Sequence, residues 1–300
     1  FGHDEETHGT GASAIVDLLE SRGVKPTLVL DEGGAIVDDV FDQVDAPMAV
    51  VGVAEKGAAT LRLTVDQSGG HASTPPKISA AVRLSQAIVR LNSRPFPSQL
   101  TETGADLMRL LGEHATGVTG FLLRNVAWTK PLLVPILVRK SDELAAMVRT
   151  TQAVTILEGG HAVNALPERV SAVINVRIAV NSSLEKTLAH VTRTINDKRV
   201  RISVDSPGEP SPVSATTGLA WELLRSTIEK SFPGTIVTPY VQNGATDSRH
   251  FTRISNGVYR FTPFAMAREV RDTLHARNER MLVSSYVDGI AFYRTLIASL

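Results

Sequence analysis

Gly2-His3-Asp4-Glu5-Glu6-Thr7-His8-Gly9-Thr10-Gly11-Ala12 sets three consecutive carboxylates between two histidines and a glycine-bearing turn. Adjacent negative charges repel unless a cation or a hydrogen-bond network absorbs them. Gly9 and Gly11 let backbone come close to whatever sits there. Downstream, Ala12, Ile15, Val16 and Leu19 recur at the spacing of one helix face, and Gly23 suits the helix stop. Thr27-Leu28-Val29-Leu30 then predicts a short buried strand ending in a second acidic loop, Asp31-Glu32-Gly33-Gly34. Carboxylate loop, helix, strand, carboxylate loop is the order of a βαβ unit, which would set Glu6 and Asp31 at one end of neighbouring parallel strands. In open α/β sheets that end is where ligands bind. Two acidic loops converging in one crevice suggest a divalent cation, since such ions take carboxylate oxygens.

The wider composition bounds the reading. A chain of 300 residues, 43% hydrophobic, is long enough for one or two domains with a large core. Lys+Arg and Asp+Glu are 31 each, so net charge gives no case for a nucleic-acid or membrane-surface partner. No cysteine is present, which removes disulfides and thiolate sites and leaves the compartment open. The longest apolar run, Leu132 to Val138 with Pro135 inside, is far too short to span a bilayer, and no signal peptide is visible.

The apolar run Met48 to Val53 predicts another strand, and Glu55-Lys56-Gly57 marks a change of pattern. Leu61, Leu63 and Val65 alternate with Arg62, Thr64 and Asp66, as in a half-buried antiparallel strand. A helix with Ile78, Ala81, Val82, Ile88 and Leu91 in register follows a loop at 69–76. Residues 93–150 predict helices and irregular segments, with Ser141 to Val148 helical. Val154 to Leu157 predicts a strand, and Val170 to Ile178 alternates most cleanly of all. Ser182 with Glu185 has the spacing of a capping box opening a helix that carries Leu184, Leu188, Val191 and Ile195. A further helix carries Ala220, Leu223, Leu224 and Ile228. A last one is expected to be capped by Ser285 with Asp288 and to bury Tyr286, Ile290, Tyr293 and Ile297. The expected organisation is an α/β domain made of 1–56 and 206–300, interrupted by an α+β insert at 57–205.

The polar punctuation gathers in a few loops, and there the chain resembles the aminoacylase/carboxypeptidase family of two-zinc metallopeptidases, closest to its carboxypeptidase S and Gly-Xaa carboxypeptidase branch. The matching segments are Gly-His-Asp-Glu-Glu at 2–6, Asp-Glu-Gly-Gly at 31–34, Glu-Lys-Gly at 55–57 and Gly-His-Ala-Ser-Thr-Pro-Pro at 70–76. They continue with Gly-Gly-His-Ala-Val-Asn-Ala-Leu-Pro at 159–167, Thr-Asp-Ser-Arg-His at 246–250 and His-Ala-Arg-Asn-Glu at 275–279. Seven segments in the family's order cover nearly the whole chain.

The resemblance implies a catalytic domain with a parallel-rich sheet flanked by helices, and an inserted dimerisation and lid domain. It implies Glu5 as general base, with Glu6, Asp31 and His275 as ligands in a centre of two zinc ions per subunit. Glu32 rivals Asp31, and His250 rivals His275. His71, Asn164, Arg177 and His250 are implied at the substrate, with His71 reaching the site of a partner subunit. Arg177 offers a fork suited to a carboxylate. The family's first metal-binding segment, a His-x-Asp pair and a bridging Asp, is expected upstream of Phe1, so this stretch alone is expected to hold half of the ligands.

The implied activity is zinc-dependent hydrolysis of amide bonds in small peptides, carboxypeptidase-like. The alternatives are an N-acyl-amino-acid amidohydrolase and, outside enzymes, a catalytically incomplete dimerising fragment. The implied partners are a small peptide or N-acyl amino acid and a second copy of the chain.

Overall fold

The computed structural model describes residues 4–5, 9–38, 44 and 46–300. In chain order the elements are α1 (Gly11–Ser21), β1 (Val29–Val37), β2 (Met48–Glu55), β3 (Gly57–Asp66), β4 (Gly70–His71), α2 (Ala80–Ser93), α3 (Glu102–His114), α4 (Gly117–Arg124), α5 (Val126–Lys140) and α6 (Asp142–Met147). There follow β5 (Thr151–Gly159), β6 (Ala165–Leu166), β7 (Arg169–Ile178), α7 (Leu184–Ile195), β8 (Arg201–Ser206), α8 (Leu219–Ser231), β9 (Ile236–Gln242), α9 (Ser248–Phe251), β10 (Val258–Ala265), α10 (Arg268–Arg271) and α11 (Val283–Ala298). They form two compact units. One is Phe1–Glu55, Leu100–Ile136 and Ser211–Leu300; the other is Lys56–Gln99 and Leu137–Pro210.

The first unit is built on a mixed sheet in the order β1-β10-β2-β9. β1 runs parallel to β10 and β2 parallel to β9, while β2 meets β10 and β1 antiparallel. Its core joins Ala49, Val51 and Val53 of β2 and Tyr259 and Phe261 of β10 to Leu224 and Ile228 of α8 and Phe292 and Leu296 of α11. The Phe261 and Phe292 rings meet edge to face at 5.7 Å. α1 ends as its glycine predicts: Gly23 takes φ +68°, its N–H bonds Glu20 O and that of Val24 bonds Leu19 O, closing a Schellman turn.

Three expectations for this unit are corrected. The predicted strand ending at Leu30 continues as β1 through Asp31-Glu32-Gly33-Gly34, with register breaks on either side of Gly34. Glycine makes this passage feasible: Gly33 has φ +139°, and a Cβ on Gly34 would lie 1.8 Å from Val50 O. α11 buries Ser285, Gly289, Phe292 and Leu296, and exposes Tyr286, Ile290, Tyr293 and Ile297. A Cβ on Gly289 would sit 2.4 Å from the Phe264 ring, so the face that carries glycine is the one that comes close to β10. Ser285 makes no cap; its hydroxyl donates to Ala265 O at 3.0 Å, and Leu282 occupies the cap position.

The second unit is an antiparallel sheet in the order β5-β7-β3-β8 with α2 and α7 over one face. β3 and β7 pair over their whole length, Gly57↔Ile178 to Asp66↔Arg169. Leu61, Leu63, Val65, Ile174, Val176 and Ile178 meet Leu84, Ala87 and Leu91 of α2 and Val191 and Ile195 of α7. α2 buries Ala80, Leu84, Ala87 and Leu91, one helical line, whereas Ile78 and Val82 are exposed. Ser183, not Ser182, caps α7: its hydroxyl accepts from Lys186 N at 3.2 Å, and Ser182 closes the preceding turn onto Ala179 O. Residues 100–136, read from sequence within the insert, group with the first unit, where α3 lies against β9.

Candidate active site

The acidic stretch contributes first through Asp4. Its Oδ2 accepts Gly11 N–H at 3.0 Å and its carbonyl accepts Gly9 N–H at 2.8 Å. A Cβ on Gly9 would lie 1.9 Å from Asp4 Oδ2, so glycine there lets this carboxylate sit against the turn that opens α1. Glu5 follows in a turn, half-buried. Glu6, and with it His3 and His8, lies outside the described residues.

Asp31 sits where β1 breaks register. Its Oδ1 accepts the N–H of Glu32 at 2.9 Å and its Oδ2 accepts that of Ser248 at 2.7 Å. Two backbone donors therefore fix the plane of this carboxylate while each oxygen keeps a lone pair. Ser248 is itself fixed from behind. Glu55, at the end of β2 and buried, accepts at Oε1 from Thr246 Oγ1 (2.6 Å), Ser248 Oγ (2.8 Å) and Arg260 Nε (2.7 Å), and at Oε2 from Thr246 N (3.0 Å). Arg260, opposite Gly52 in the β10–β2 ladder, is fully buried and also donates from Nη1 to Val258 O at 3.1 Å. The chain of contacts thus runs from Arg260 through Glu55 to the 246–248 turn and on to Asp31.

Glu55 and Arg260 were not singled out as site residues from sequence. The signal was there: each is a lone charge in an apolar strand, Met48 to Ala54 before Glu55 and Val258-Tyr259 before Arg260. A charge in a buried strand needs a partner.

His250 is half-buried in α9, next to this turn. Loss of solvent, and then the nearby Arg249 charge, hold its basicity below the usual histidine value. Its Nε2 is buried and has no hydrogen-bond partner among the described residues. A neutral imidazole with an uncommitted nitrogen is the form that binds a metal or accepts a proton. His275 lies exposed in the turn before α11 with φ +56°, and Asn278 follows at φ +62°. Left-handed backbone at non-glycine residues is uncommon and clusters at functional turns.

The second unit brings two of the expected substrate residues together. β4 pairs with β6, His71 opposite Ala165, and Ala72 N–H bonds Asn164 O at 2.9 Å. His71 is exposed, with Nδ1 2.7 Å from Ser73 Oγ. Arg177 is not with them. It lies near the far end of β7, opposite Ala58 and Thr151, with Nε on Asn175 Oδ1 at 3.1 Å. Eight residues of strand separate it from Arg169 beside the β6 loop, about 26 Å. Close to Arg177 lies Lys56, buried, with Nζ on the carbonyls of Ala146 (2.7 Å) and Arg149 (2.8 Å). Burial, then the charges of Arg177 and Arg149, lower its pKa to about 8.

As a metal centre the described residues supply parts. Among them no three His, Asp or Glu side chains gather closely enough to hold an ion. The oriented Asp31 oxygens and the uncommitted His250 nitrogen are the donor types a zinc ion takes.

A family model described as a peptidase dimerisation domain, M20_dimer, matches residues 53–202. The chain is 38% identical over 302 residues to an N-fatty-acyl-amino acid synthase/hydrolase, PM20D1, of Xenopus tropicalis, and 36% identical over 301 residues to a probable carboxypeptidase S-like 2 of Dictyostelium discoideum. These alignments take in 99% of this chain and 58% of each relative's length. Among solved structures, an M20 family metallo-carboxypeptidase from Sulfolobus solfataricus superposes with a TM-score of 0.65 at 16% identity, covering 98% of this chain and 68% of the other, which is a likeness of fold.

Proposed function

Because this chain belongs to the M20 peptidase family, we propose that it is a zinc-dependent hydrolase of amide bonds in small peptides, cutting beside a free carboxylate. The observation that carries the reading is Asp31, a carboxylate oriented by two backbone N–H groups and backed by the buried Glu55–Arg260 pair. Glu6, Asp31 and His275 would be part of the ligand set of a centre of two zinc ions per subunit. Bound zinc polarises an amide carbonyl and acidifies a water. Glu5 takes the water's proton and passes it to the leaving amine. The Ser248 and Glu32 N–H groups keep Asp31 from rotating away from its task. His250, neutral and in α9 beside the same turn, would contact the substrate.

His71 and Asn164 act together, because the β4–β6 ribbon holds them side by side. The separation along β7 keeps Arg177 from that pair, so we assign His71 and Asn164 to the site of a partner subunit and Arg177 to a substrate carboxylate on its own. The partner would be a second copy joined through the second unit, Lys56–Gln99 and Leu137–Pro210. β5 is an edge strand there, with Val154, Ile156 and Leu157 exposed, and an unpaired edge is a template for another strand. Sedimentation should give a dimer; a strict monomer at high concentration would remove the shared role of His71.

A second reading, an N-acyl-amino-acid hydrolase, is favoured by the 38% identity to the Xenopus N-fatty-acyl-amino acid synthase/hydrolase. Hydrolysis of dipeptides and of N-acyl amino acids by the intact protein, before and after chelation, tests both. Turnover that falls with zinc removal, returns with zinc and needs a free substrate carboxylate is expected. A zinc-loaded protein inert toward both classes would overturn the proposal.

A further inference from the structure

In the second unit, the sheet face turned away from α2 and α7 carries arginines, and along most of its length each has an acid. Arg62 meets Asp205 at 2.7 Å and Glu158 at 3.4 Å. Asp66 takes Arg169 at 2.6 Å and Arg201 at 2.9 Å. Arg177 breaks the pattern. It stands on the same face of β7, four residues beyond Val173, the cross-strand partner of Arg62, and so about 13 Å from that paired cluster. Its Nε donates to the neutral Asn175 Oδ1, and no acidic side chain meets its guanidinium among the described residues. Arg149 is half-buried and its side chain also has no hydrogen bond or ion pair among the described residues.

The two unpaired arginines lie together. Thr151 of β5 is the cross-strand partner of Arg177, and Arg149 precedes it by two residues, so the arginines are diagonal neighbours within reach of one small molecule. Across the other ladder Ala58 faces Arg177. An alanine there is too short to cover a guanidinium, and the hydroxyl of Thr151 adds a neutral donor. Lys56 supplies a third cation. Its amine is fixed on the carbonyls of Ala146 and Arg149 at the end of α6, and both guanidinium charges are close enough to oppose its protonation. Glu55, the preceding residue, is already taken by Arg260, Thr246 and Ser248. Gathered like charges repel unless an anion absorbs them. The carbonyls at a helix end suit the Lys56 amine. That leaves two guanidinium forks, each shaped for one carboxylate.

We propose that Arg149 is a specificity residue: while Arg177 holds the α-carboxylate of the substrate's last residue, Arg149 takes a second carboxylate on that residue's side chain, so that peptides ending in glutamate or aspartate are preferred. This selectivity rests on the reading of Arg177 as the receptor of the substrate carboxylate. One carboxylate would leave the second fork unanswered; two answer both. Glutamine matches glutamate in size and lacks only the charge, which makes the pair a clean comparison.

Steady-state kinetics of the intact protein on Ala-Glu and Ala-Gln, beside calorimetric titration with glutarate and with butyrate, test it. kcat/KM should be about 10- to 100-fold higher for Ala-Glu, the usual worth of a hydrogen bond to a charged group, and glutarate should bind more tightly than butyrate by a similar factor. Arg149→Gln should bring both ratios close to one. Arg149→Lys, which keeps the charge without the fork, should retain part of each. Equal kcat/KM for the two peptides, equal binding of the two acids, or ratios that survive Arg149→Gln would overturn the proposal. The titration separates this site from the reaction. A protein inert toward both peptides that still selects glutarate through Arg149 would overturn the hydrolase reading and keep the second-carboxylate site; one that is inert and selects neither acid would overturn both.

Discussion

Glu55 and Arg260, 205 positions apart in the chain, form a buried ion pair with Nε 2.7 Å from Oε1. The pair closes the end of β2 onto β10 and holds the turn that orients Asp31. Replacing Arg260 by Met leaves a buried carboxylate whose remaining partners are neutral. Loss of one partner of a buried pair costs about 3–5 kcal/mol. Denaturant unfolding should show that loss for Arg260→Met and for Glu55→Leu, and a smaller one for the double variant, since the double variant strands no charge. Equal and additive losses would mean that the two side chains act independently.

Lys56 gives a stability profile with a known sign. Its folded-state pKa, about 8, lies below the ordinary 10.5. The unfolded chain therefore binds the extra proton between these values, and folding stability rises as pH climbs from about 8 to 10.5. Below 8 the charge is carried in both states and its burial cost is present in full. Urea unfolding of the protein and of Lys56→Met across pH 7–10.5 isolates this contribution: the difference between the two should shrink or reverse in favour of the parent as pH rises. A difference independent of pH would place the Lys56 amine in water.

The cap of α7 separates two neighbouring serines. Ser183→Ala should destabilise the protein by about 1 kcal/mol, the usual worth of a side-chain cap, and Ser182→Ala should change little, because only Ser183 accepts the Lys186 N–H. Thermal unfolding of the two variants distinguishes them.

These same residues show what sequence could and could not reveal. Regular alternation at Leu61 to Val65 and Val170 to Ile178 predicted the paired central strands, because a sheet with one packed face imposes a two-residue period on each. The fold class followed from order and spacing. Helix orientation was less legible: α11 is apolar on nearly every side, so periodicity could not say that Phe292 and Leu296 face inward while Tyr293 and Ile297 face out. The capping spacing at Ser182 and Ser285 was present without the geometry, since a hydroxyl caps only where the chain enters the helix beside it. Asp31 stands out in its acidic stretch, but its link to the Glu55–Arg260 pair does not, because that link joins residues no local pattern connects.

The site assignment makes His275 and His250 separable. His275→Ala should lower zinc content, whereas His250→Ala should keep the metal and raise KM, measured by metal analysis beside steady-state kinetics. The reverse pattern would exchange their roles and make the uncommitted His250 nitrogen the ligand.

Adjacent glutamates give the most direct test of a zinc hydrolase with Glu5 as its base. Glu5→Gln and Glu6→Gln, each made in the intact protein, are compared by zinc stoichiometry and turnover on one substrate. Glu5→Gln should keep its zinc and lose about 10²–10⁴-fold in turnover, the usual loss on removing a general base, while Glu6→Gln should lose zinc. A Glu5→Gln protein that sheds its zinc, or that keeps both zinc and turnover, would contradict the account.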